Sequence, residues 1–222
     1  MPRDAHGSRF YRICWWLAYV LAGLLFRQRA EGREHIPPCG RVILASNHCS
    51  YVDPVLIGVA VGRELWYLTK RESFSVPFLG WLIRSLHAMP VDRSRGDRAA
   101  LMALEDRLKS DRAVLLFPEG TRNRSGRFLK PKSGVGMAAY RTTAPVVPVY
   151  ISGTVNVWKA LVGMDRVTIR FGDPLRPFPG QLPARRRSAY QSISSEVMRK
   201  IEDLKRGGRK AGTVAPASLR SI

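Results

Sequence analysis

Short apolar runs alternate with segments of helical periodicity through the middle of the chain. The runs are rich in β-branched side chains and bounded by glycine, proline or polar residues, a pattern that predicts buried β-strands. They lie at residues 42–46, 65–69, 88–91, 113–117, 146–151 and 167–171. Helices are predicted at 54–62, within 70–86, at 97–109 and at 185–205. This alternation predicts an α/β fold with a mostly parallel sheet flanked by helices.

The chain opens with a different pattern. Residues 13–26 read ICWWLAYVLAGLLF and carry no charge, while arginines stand on both sides. A bilayer span needs about 20 apolar residues, so this run is short for one. Tryptophan and tyrosine, which are frequent here, are favoured at a membrane interface. Residues 1–30 are therefore predicted to form a basic, aromatic-rich, membrane-associated helix, and the alternatives are a cleaved signal peptide or a buried core helix.

The remaining segments set the predicted domain limits. Residues 31–40 contain a Pro-Pro pair and a glycine, which predicts a linker without regular structure before the first strand. Residues 207–222 consist mainly of small and basic residues, which is typical of a disordered tail. The prediction is a single domain at 31–206, preceded by the membrane-interface helix and followed by the tail.

The composition restricts the classes of function. With 222 residues and 45% apolar side chains, the chain can bury a substantial core. Its net charge of +20, which comes mainly from 29 arginines, predicts attraction to nucleic acid, an anionic bilayer surface or phosphorylated substrates. The three cysteines are odd in number and lack metal-ligand spacing, so neither a disulfide framework nor a zinc site is indicated. A reducing, cytosolic environment is the simplest interpretation.

His48 and Asp53 stand in the segment that follows the 42–46 strand. A neutral imidazole, whose ordinary pKa is about 6.5, can accept a proton near neutral pH. A nearby carboxylate can hold the other ring nitrogen and stabilise the imidazolium. Asp53 is also predicted to be the N-cap of the next helix, with Pro54 at the first helical position. On these residues alone, a purely structural pair remains an alternative.

A second polar block, FPEGTR at residues 117–122, follows the 113–117 strand. Its glycine predicts a turn with backbone and hydroxyl donors, and Arg122 offers a planar fork suited to bidentate phosphate binding. Because sites in α/β proteins lie at strand ends, both blocks are predicted to belong to one active site. Several basic side chains follow, which fit phosphate binding, anionic lipid binding or a solvated loop. They are Arg124, Arg127, Lys130 and Lys132.

Five sequence blocks in a fixed order carry a family resemblance: NHxxxxD at 47–53, KRESF at 70–74, VDR at 91–93, FPEGTR at 117–122 and VPVYISG at 147–153. This order resembles the glycerolipid acyltransferase family, most closely its 1-acyl-sn-glycerol-3-phosphate (lysophosphatidate) acyltransferase members. The resemblance implies transfer of a fatty acyl group from a thioester to the free hydroxyl of lysophosphatidate, giving phosphatidate in phospholipid biosynthesis. It implies His48 as the general base, Asp53 as its orienting partner, and direct attack without an acyl-enzyme.

The same resemblance assigns residues to substrate binding. The FPEGTR block matches the family's binding site for the glycerol phosphate, and two further basic residues match an arginine that contacts phosphate and a frequent lysine. The implied set is Glu119, Gly120, Thr121, Arg122, Arg93 and Lys70. His87 departs from the family pattern, which commonly has a glycine before this strand. Cys49 is the alternative nucleophile, but adjacent residues of an extended loop point apart.

The implied partners are a lysophospholipid acceptor, an acyl-CoA or acyl carrier protein thioester as co-substrate, and an anionic membrane surface. The chemistry requires no metal or redox cofactor. The enzyme is expected to be peripheral or monotopic at the cytoplasmic face of the cell membrane. Glycerol 3-phosphate or another lysolipid, such as a lyso-amino lipid, is the alternative acceptor. A non-catalytic membrane- or nucleic-acid-binding protein is the alternative from another class, but without a nucleic-acid-binding motif no nucleic acid partner is expected.

Overall fold

A seven-stranded sheet forms the centre of the fold. The computed structural model describes residues 9–91, 98–156, 158–159, 164–176 and 185–211. Numbered along the chain, the strands are β1 Arg29–Glu31, β2 Val42–Ser46, β3 Leu65–Lys70, β4 Ala88–Val91, β5 Ala113–Leu116, β6 Val146–Ser152 and β7 Thr168–Phe171. Across the sheet they lie in the order β1-β7-β6-β2-β5-β3-β4. Neighbouring strands are parallel except β6 and β7, so the predicted mostly parallel sheet is confirmed.

Helices cover both faces of this sheet. They are α1 Arg9–Phe26, α2 Asp53–Val61, α3 Pro77–Ser85, α4 Arg98–Lys109, α5 Gly134–Thr142 and α6 Arg186–Ala211. One core cluster joins the sheet to α1, α2 and α3, and a second joins it to α4, α5 and α6. The predicted arrangement of a sheet flanked by helices is therefore confirmed.

The central strand β2 shows how the sequence builds both core layers. Successive side chains of a strand point to opposite faces. Val42 and Leu44 belong to the cluster on the α2 side, and Ile43 and Ala45 to the cluster on the α5 side. All four are fully buried, because β2 lies between β6 and β5 with helices on both faces. The loop that follows β2 therefore starts from a rigid position.

Predicted and observed strands agree closely. The strands predicted at 42–46 and 88–91 have those bounds, and the other four differ by one residue at one end. Two elements are absent from the prediction. β1 is a three-residue polar edge strand without an apolar pattern. α5 begins with two glycines in its first three residues, which lowers its helix propensity.

Regular structure extends further than predicted at two places in the chain. The linker predicted at 31–40 is wrong in its first half, because Glu31 ends β1 and Arg33–His35 forms a 3-10 turn. Since β1 pairs with β7, the sheet domain begins earlier than expected. The tail predicted at 207–222 starts too early in the chain, because α6 extends to Ala211. Ion pairs one turn apart along α6 support this continuation, and residues 212–222 lie outside the described ranges.

The N-terminal helix α1 has one buried side and one exposed apolar side. Tyr11, Trp15 and Ala22 are buried, and the indole Nε1 of Trp15 donates to the carbonyl oxygen of Gly58 in α2 at 3.4 Å. Across the part of the chain that the structure describes, no helix is long and apolar enough to cross a membrane. The exposed side, called the outer face of α1 below, consists of Ile13, Trp16, Leu17, Leu21, Leu24 and Leu25.

His87, which departs from the family pattern, adopts the left-handed backbone conformation with a φ of 61°. Histidine reaches this region more readily than β-branched residues do, so the departure from glycine is accommodated. Its ring stacks on Trp66 at a centroid distance of 4.3 Å and on Tyr11 at 4.7 Å. Burial lowers the pKa of His87, although Glu64 lies 3.7 Å from its Nε2. The stack attaches the first turn of α1 to the sheet.

Candidate active site

The loops predicted to carry chemistry meet at one edge of the sheet. β2, β5, β3 and β4 are adjacent and parallel, so their carboxyl ends lie together. The His48 loop follows β2, the FPEGTR block follows β5, and Lys70 is the last residue of β3. Arg93 comes two positions after Val91 ends β4, and it lies outside the described residues.

The carboxylate of Asp53 organises the His48 loop. Its Oδ2 accepts hydrogen bonds from Nδ1 of His48 at 2.9 Å, from the backbone N–H of Cys49 at 2.6 Å and from that of Ser50 at 2.7 Å. Asp53 has 0% of its surface exposed, and a buried carboxylate is tolerated only with such partners. The imidazole is therefore held in one orientation by a rigid acceptor.

This hydrogen bond selects the tautomer of His48. An ionised carboxylate can only accept, so the proton of the neutral ring lies on Nδ1 and Nε2 keeps its lone pair. The ring also stacks on Phe117, with centroids 3.9 Å apart and planes at 17°. His48 lines the cleft at the sheet edge. The arrangement thus presents a positioned proton acceptor to that cleft.

Asp53 is not the N-cap of α2, although the sequence predicts that role. The residue at the N-cap is Val52, and it makes no side-chain capping hydrogen bond. Asp53 is instead the first helical residue, and Pro54 follows it within the first turn. The predicted capping role of Asp53 is therefore wrong, because its carboxylate is occupied by the three donors of the His48 loop.

Cys49 is poorly suited to act as a nucleophile. Burial and the nearby charge of Asp53 raise the pKa of the Cys49 thiol to about 11. The reactive species of a cysteine is the thiolate, which is scarce at neutral pH when the pKa is this high. The side chain instead accepts a hydrogen bond from Nδ2 of Asn47 at 3.4 Å.

Asn47, which the sequence analysis does not assign to the site, attaches the His48 loop to β6. Its Nδ2 donates to the carbonyl oxygen of Ile151 at 2.9 Å, and its Oδ1 accepts from the N–H of Ile151 at 2.8 Å. The buried amide therefore continues the ladder between β2 and β6 past the end of β2. Asn47 directly precedes His48 in the NHxxxxD block, but the sequence does not reveal its partner, Ile151, which is 104 positions away.

Glu119 points into the loop that follows β5, called the second loop below, and does not line the cleft. It is 3% exposed, and its Oε2 accepts from Nδ2 of Asn123 at 2.8 Å and from the N–H of Leu129 at 3.1 Å. The N–H of Asn123 in turn donates to the carbonyl oxygen of His48 at 2.7 Å. Glu119 therefore closes the second loop and joins it to the first.

Gly120 lies where the second loop turns. Its φ of 67° is in the left-handed region, and a Cβ at this position would lie 2.8 Å from Cδ of Lys132. Glycine thus meets both the conformational and the spatial requirement. The aliphatic part of Lys132 passes directly over the turn, and both residues line the cleft. Lys132, left open in the sequence analysis, belongs to the site.

Arg122 is held by a contact between the two loops. Its guanidinium carbon lies 3.4 Å from the ring centroid of Tyr51, which stands inside the NHxxxxD block and is 68% exposed. A guanidinium stacked on an aromatic face keeps its N–H groups free at the rim. Thr121 is exposed beside it. The sequence contains no local signal for the pairing of Tyr51 with Arg122.

The cleft at this edge has a volume of about 130 Å³. Among the described residues, Lys70 and Lys132 are its cationic lining side chains, and no carboxylate lines it. Within the described ranges, no group of His, Cys, Asp and Glu has the arrangement of a metal site. The apolar wall is formed by Leu68, Val91, Leu101, Leu115, Leu116, Phe117, Pro118 and Val135. A cleft with two lysines and an apolar wall suits a ligand that has both an anionic group and a hydrocarbon chain.

Two curated relatives resemble most of the chain. The 1-acyl-sn-glycerol-3-phosphate acyltransferase of Bacillus subtilis is 26% identical over 196 residues, which cover 87% of this chain and 96% of that protein. The lyso-ornithine lipid O-acyltransferase of Pseudomonas aeruginosa is 30% identical over 218 residues, covering 93% and 81%. Against several plant and streptococcal relatives, the match covers only 37% to 49% of the relative.

Structure and family comparisons agree with these relatives. The crystal structure of the 1-acyl-sn-glycerophosphate (LPA) acyltransferase PlsC from Thermotoga maritima matches with a TM-score of 0.68 and 26% identity, covering 88% of this chain and 79% of that one. The family model described as Acyltransferase matches residues 27–152. This range holds β1 to β6, the His48–Asp53 pair and both loops at the sheet edge. The chain is therefore an enzyme of the Acyltransferase family.

Proposed function

We propose that this enzyme transfers a fatty acyl group from an acyl thioester to the free hydroxyl of lysophosphatidate, giving phosphatidate. The observation that carries the proposal is the position of His48. Its ring is oriented by Asp53 and lines a cleft that Lys70 and Lys132 also line. A base next to cations suits an acceptor that has both a hydroxyl and a phosphate. The apolar wall then receives hydrocarbon next to the reacting groups.

In the proposed reaction, Nε2 of His48 takes the proton of the acceptor hydroxyl while the oxygen forms a bond to the thioester carbonyl carbon. Asp53 stabilises the resulting imidazolium through Nδ1. The carbon–sulfur bond then breaks, and the sulfur receives the proton from Nε2 and leaves as a thiol. No covalent enzyme intermediate is needed, which agrees with the high pKa of the Cys49 thiol.

The phosphate of the acceptor is proposed to contact Lys70, Lys132 and Arg122. The two lysines line the cleft beside His48. Arg122 stacks on Tyr51 and lies two positions after Gly120, which is part of the lining. The turn at Gly120 and the hydroxyl of Thr121 add donors nearby, and Arg93 keeps the phosphate role implied by the family resemblance. Glu119 is given a positioning role, because its buried carboxylate holds the loop that bears the other groups.

The outer face of α1 is proposed to rest on the cytoplasmic surface of the membrane. The carbonyl oxygen of Phe26, at the end of α1, accepts from the N–H of Val167, which directly precedes β7. β7 begins opposite the carboxyl end of β6, so α1 ends at the sheet edge that holds the cleft. Contact of this face with lipid brings the cleft to its bilayer-borne acceptor. The excess of positive charge favours an anionic surface.

A lyso-ornithine lipid is the second candidate acceptor. The similarity to the Pseudomonas aeruginosa lyso-ornithine lipid O-acyltransferase favours it, at 30% identity over 93% of this chain. An ornithine head group carries a cationic amine besides its carboxylate, and a cationic amine is best bound by a carboxylate. Since the described lining of the cleft has two lysines and no carboxylate, its charge favours a phosphate head group instead.

The acceptor can be tested by measuring thiol release from palmitoyl-CoA and palmitoyl-acyl carrier protein in liposomes. The acceptors to compare are lysophosphatidate, glycerol 3-phosphate, lyso-ornithine lipid and none. We expect release to depend on lysophosphatidate and phosphatidate to accumulate in equal amount. Preference for lyso-ornithine lipid would assign the second candidate, and release that no acceptor stimulates with either donor would refute both.

A substitution of Tyr51 tests whether its ring positions Arg122. Tyr51→Leu is expected to raise the KM for lysophosphatidate about two- to fivefold with little change in kcat, because an exposed cation–π contact is worth about 0.5–1 kcal/mol. Tyr51→Phe keeps the aromatic face and is the matched control. Equal KM values for the two variants would show that the ring does not position Arg122.

A further inference from the structure

A group of exposed basic side chains lies on the second loop, which a backbone hydrogen bond joins to His48. We call Arg124, Arg127 and Lys130 the basic rim; all three are exposed, and within the described residues no carboxylate forms an ion pair with them. They follow Arg122 directly along the second loop. The one carboxylate of this loop, that of Glu119, is buried and turned inward. The rim therefore presents uncompensated positive charge to solvent.

The backbone that carries the basic rim is held in one shape. Asn123 is the centre of the loop: its Oδ1 accepts from the N–H of Ser125 at 3.0 Å and from its hydroxyl at 2.7 Å, while its Nδ2 donates to the carbonyl oxygen of Arg127. The hydrogen bond between the N–H of Asn123 and the carbonyl oxygen of His48 ties this loop to the base at 2.7 Å. The rim is thus fixed relative to the reacting centre.

The far side of the loop is attached to α6 by another cation. Nζ of Lys205 donates to the carbonyl oxygen of Gly126 at 2.6 Å and lies 4.9 Å from the ring centroid of Phe128. A lysine brought to a loop that is already basic raises the local positive potential. Such a concentration of like charge destabilises the isolated protein, so an anionic ligand is its natural complement.

The acceptor phosphate does not require these side chains. Lys70 and Lys132 line the cleft, and Arg122 stacks on Tyr51 of the NHxxxxD block. These three cations already offer more positive charge than one phosphate monoester carries. The second substrate is also anionic. Its phosphates sit at the end of the pantetheine arm that is remote from the thioester, so they belong outside the cleft while the carbonyl carbon lies at His48.

We propose that the basic rim binds the phosphate groups carried on the pantetheine arm of the acyl thioester. This inference rests on the proposed acyl transfer and names the donor subsite of the same site. The phosphates of coenzyme A and the phosphopantetheine of an acyl carrier protein share this chemistry. Arg124 and Arg127 supply planar guanidinium groups suited to phosphate, and Lys130 supplies a point charge.

A triple variant, Arg124→Ala with Arg127→Ala and Lys130→Ala, tests the donor subsite. Initial rates with lysophosphatidate are measured for palmitoyl-CoA, palmitoyl-acyl carrier protein and palmitoyl-pantetheine, which has no phosphate. We expect kcat/KM for the phosphorylated donors to fall about 10- to 100-fold, because hydrogen bonds to charged groups are worth about 1.5–3 kcal/mol. With palmitoyl-pantetheine the loss should be less than about twofold, and wild type should itself lose activity on this truncation.

The matched control is Arg186→Ala with Arg187→Ala, which removes exposed charges at the start of α6. At about 1.5 Å per residue these positions lie about 28 Å along the helix from Lys205, and their loss should leave every donor unaffected. A decrease that is the same for all three donors would overturn the inference. So would a decrease accompanied by loss of sedimentation with anionic liposomes, which would assign the rim to the membrane.

The phosphorylated donor whose kcat/KM falls more strongly in the triple variant identifies the carrier, coenzyme A or acyl carrier protein.

Two different results separate failure of the donor subsite from failure of the proposed acyl transfer. If wild type transfers no acyl group from any donor to lysophosphatidate, the proposed acyl transfer is refuted. Titration of coenzyme A and of 4′-phosphopantetheine against wild type and the triple variant then tests the rim directly, and equal affinities for both proteins overturn it.

Discussion

His48→Ala is expected to lower kcat for acyl transfer by a factor on the order of 10³, within the range that a general base contributes. In the proposed mechanism the ring accepts the proton at the cleft, with Nδ1 occupied by Asp53 and Nε2 left to accept. Alanine removes this acceptor while leaving the lysines of the cleft in place. We therefore expect the KM for lysophosphatidate to change little, and the measurement is the steady-state rate of thiol release.

Asp53→Asn is expected to reduce kcat almost as strongly. An amide cannot stabilise an imidazolium as a carboxylate does, and it can turn its own N–H groups toward Nδ1. Asp53 also accepts from two backbone N–H groups in a fully buried position, so we expect a loss of about 1–3 kcal/mol in the free energy of unfolding. In the double variant the two losses in kcat should not add, because both residues act as one unit.

The control for both changes is His35→Ala. His35 lies near the opposite edge of the sheet, where its Nδ1 is 3.0 Å from the carbonyl oxygen of Phe171. It should keep nearly full activity after correction for stability, as measured by thermal unfolding. Substantial turnover by folded His48→Ala would show that another group removes the proton, and the mechanism proposed above would then be wrong.

Replacing three residues of the outer face of α1, by Trp16→Ser, Leu17→Ser and Leu24→Ser together, is expected to weaken liposome binding by at least about 100-fold. Burying one large apolar side chain contributes about 1.5–3 kcal/mol, and all three are exposed, Leu24 by 73%. Sedimentation with liposomes that contain anionic lipid measures the effect. Turnover of lysophosphatidate in liposomes should fall with binding, while turnover in detergent should be retained.

Substitution is a sharper test than deletion of the N-terminal segment. Tyr11, Trp15 and Ala22 are buried against the domain, and Gln28 donates to the carbonyl oxygen of Leu56 at 3.1 Å. Removing residues 1–29 would therefore expose core surface and reduce stability together with any membrane contact. The matched control is Met102→Ser on α4, an exposed apolar residue on the other side of the sheet. Unchanged sedimentation of the triple variant would contradict the membrane role of the outer face.

The apolar pattern of α1 also shows what hydrophobic periodicity alone cannot predict. The uncharged run predicted a helix at a membrane interface, with a buried core helix as an alternative. The structure has features of both, since buried side chains recur at Tyr11, Trp15 and Ala22 and exposed ones fall between them. Both sides of this helix are apolar, so periodicity could not separate the side that faces protein from the side that does not.

Local signals succeeded where the determining interactions are local. The strand at 42–46 follows from five apolar or small residues that are buried on both faces. The missed β1 has no such pattern, and it forms because β7 offers an open edge. In the same way, Asp53 has the usual sequence context of a helix cap. The tertiary position of the His48 loop decides that its carboxylate bonds backward to that loop instead.

By itself, the sequence predicted six of the seven strands and five of the six α-helices of the described residues, and it placed His48 five positions before Asp53. Hydrophobic periodicity and residue spacing are local properties, which is why they suffice for this. Only the tertiary structure decided that Glu119 turns inward and that Tyr51 meets Arg122. It also decided that Lys132 lies over Gly120. Tyr51 and Arg122 are distant along the chain, and their contact depends on the order of strands in the sheet, which no local pattern specifies. The contacts of Glu119 and Lys132 lie within the loop that follows β5, whose shape depends on hydrogen bonds and packing that periodicity does not reveal.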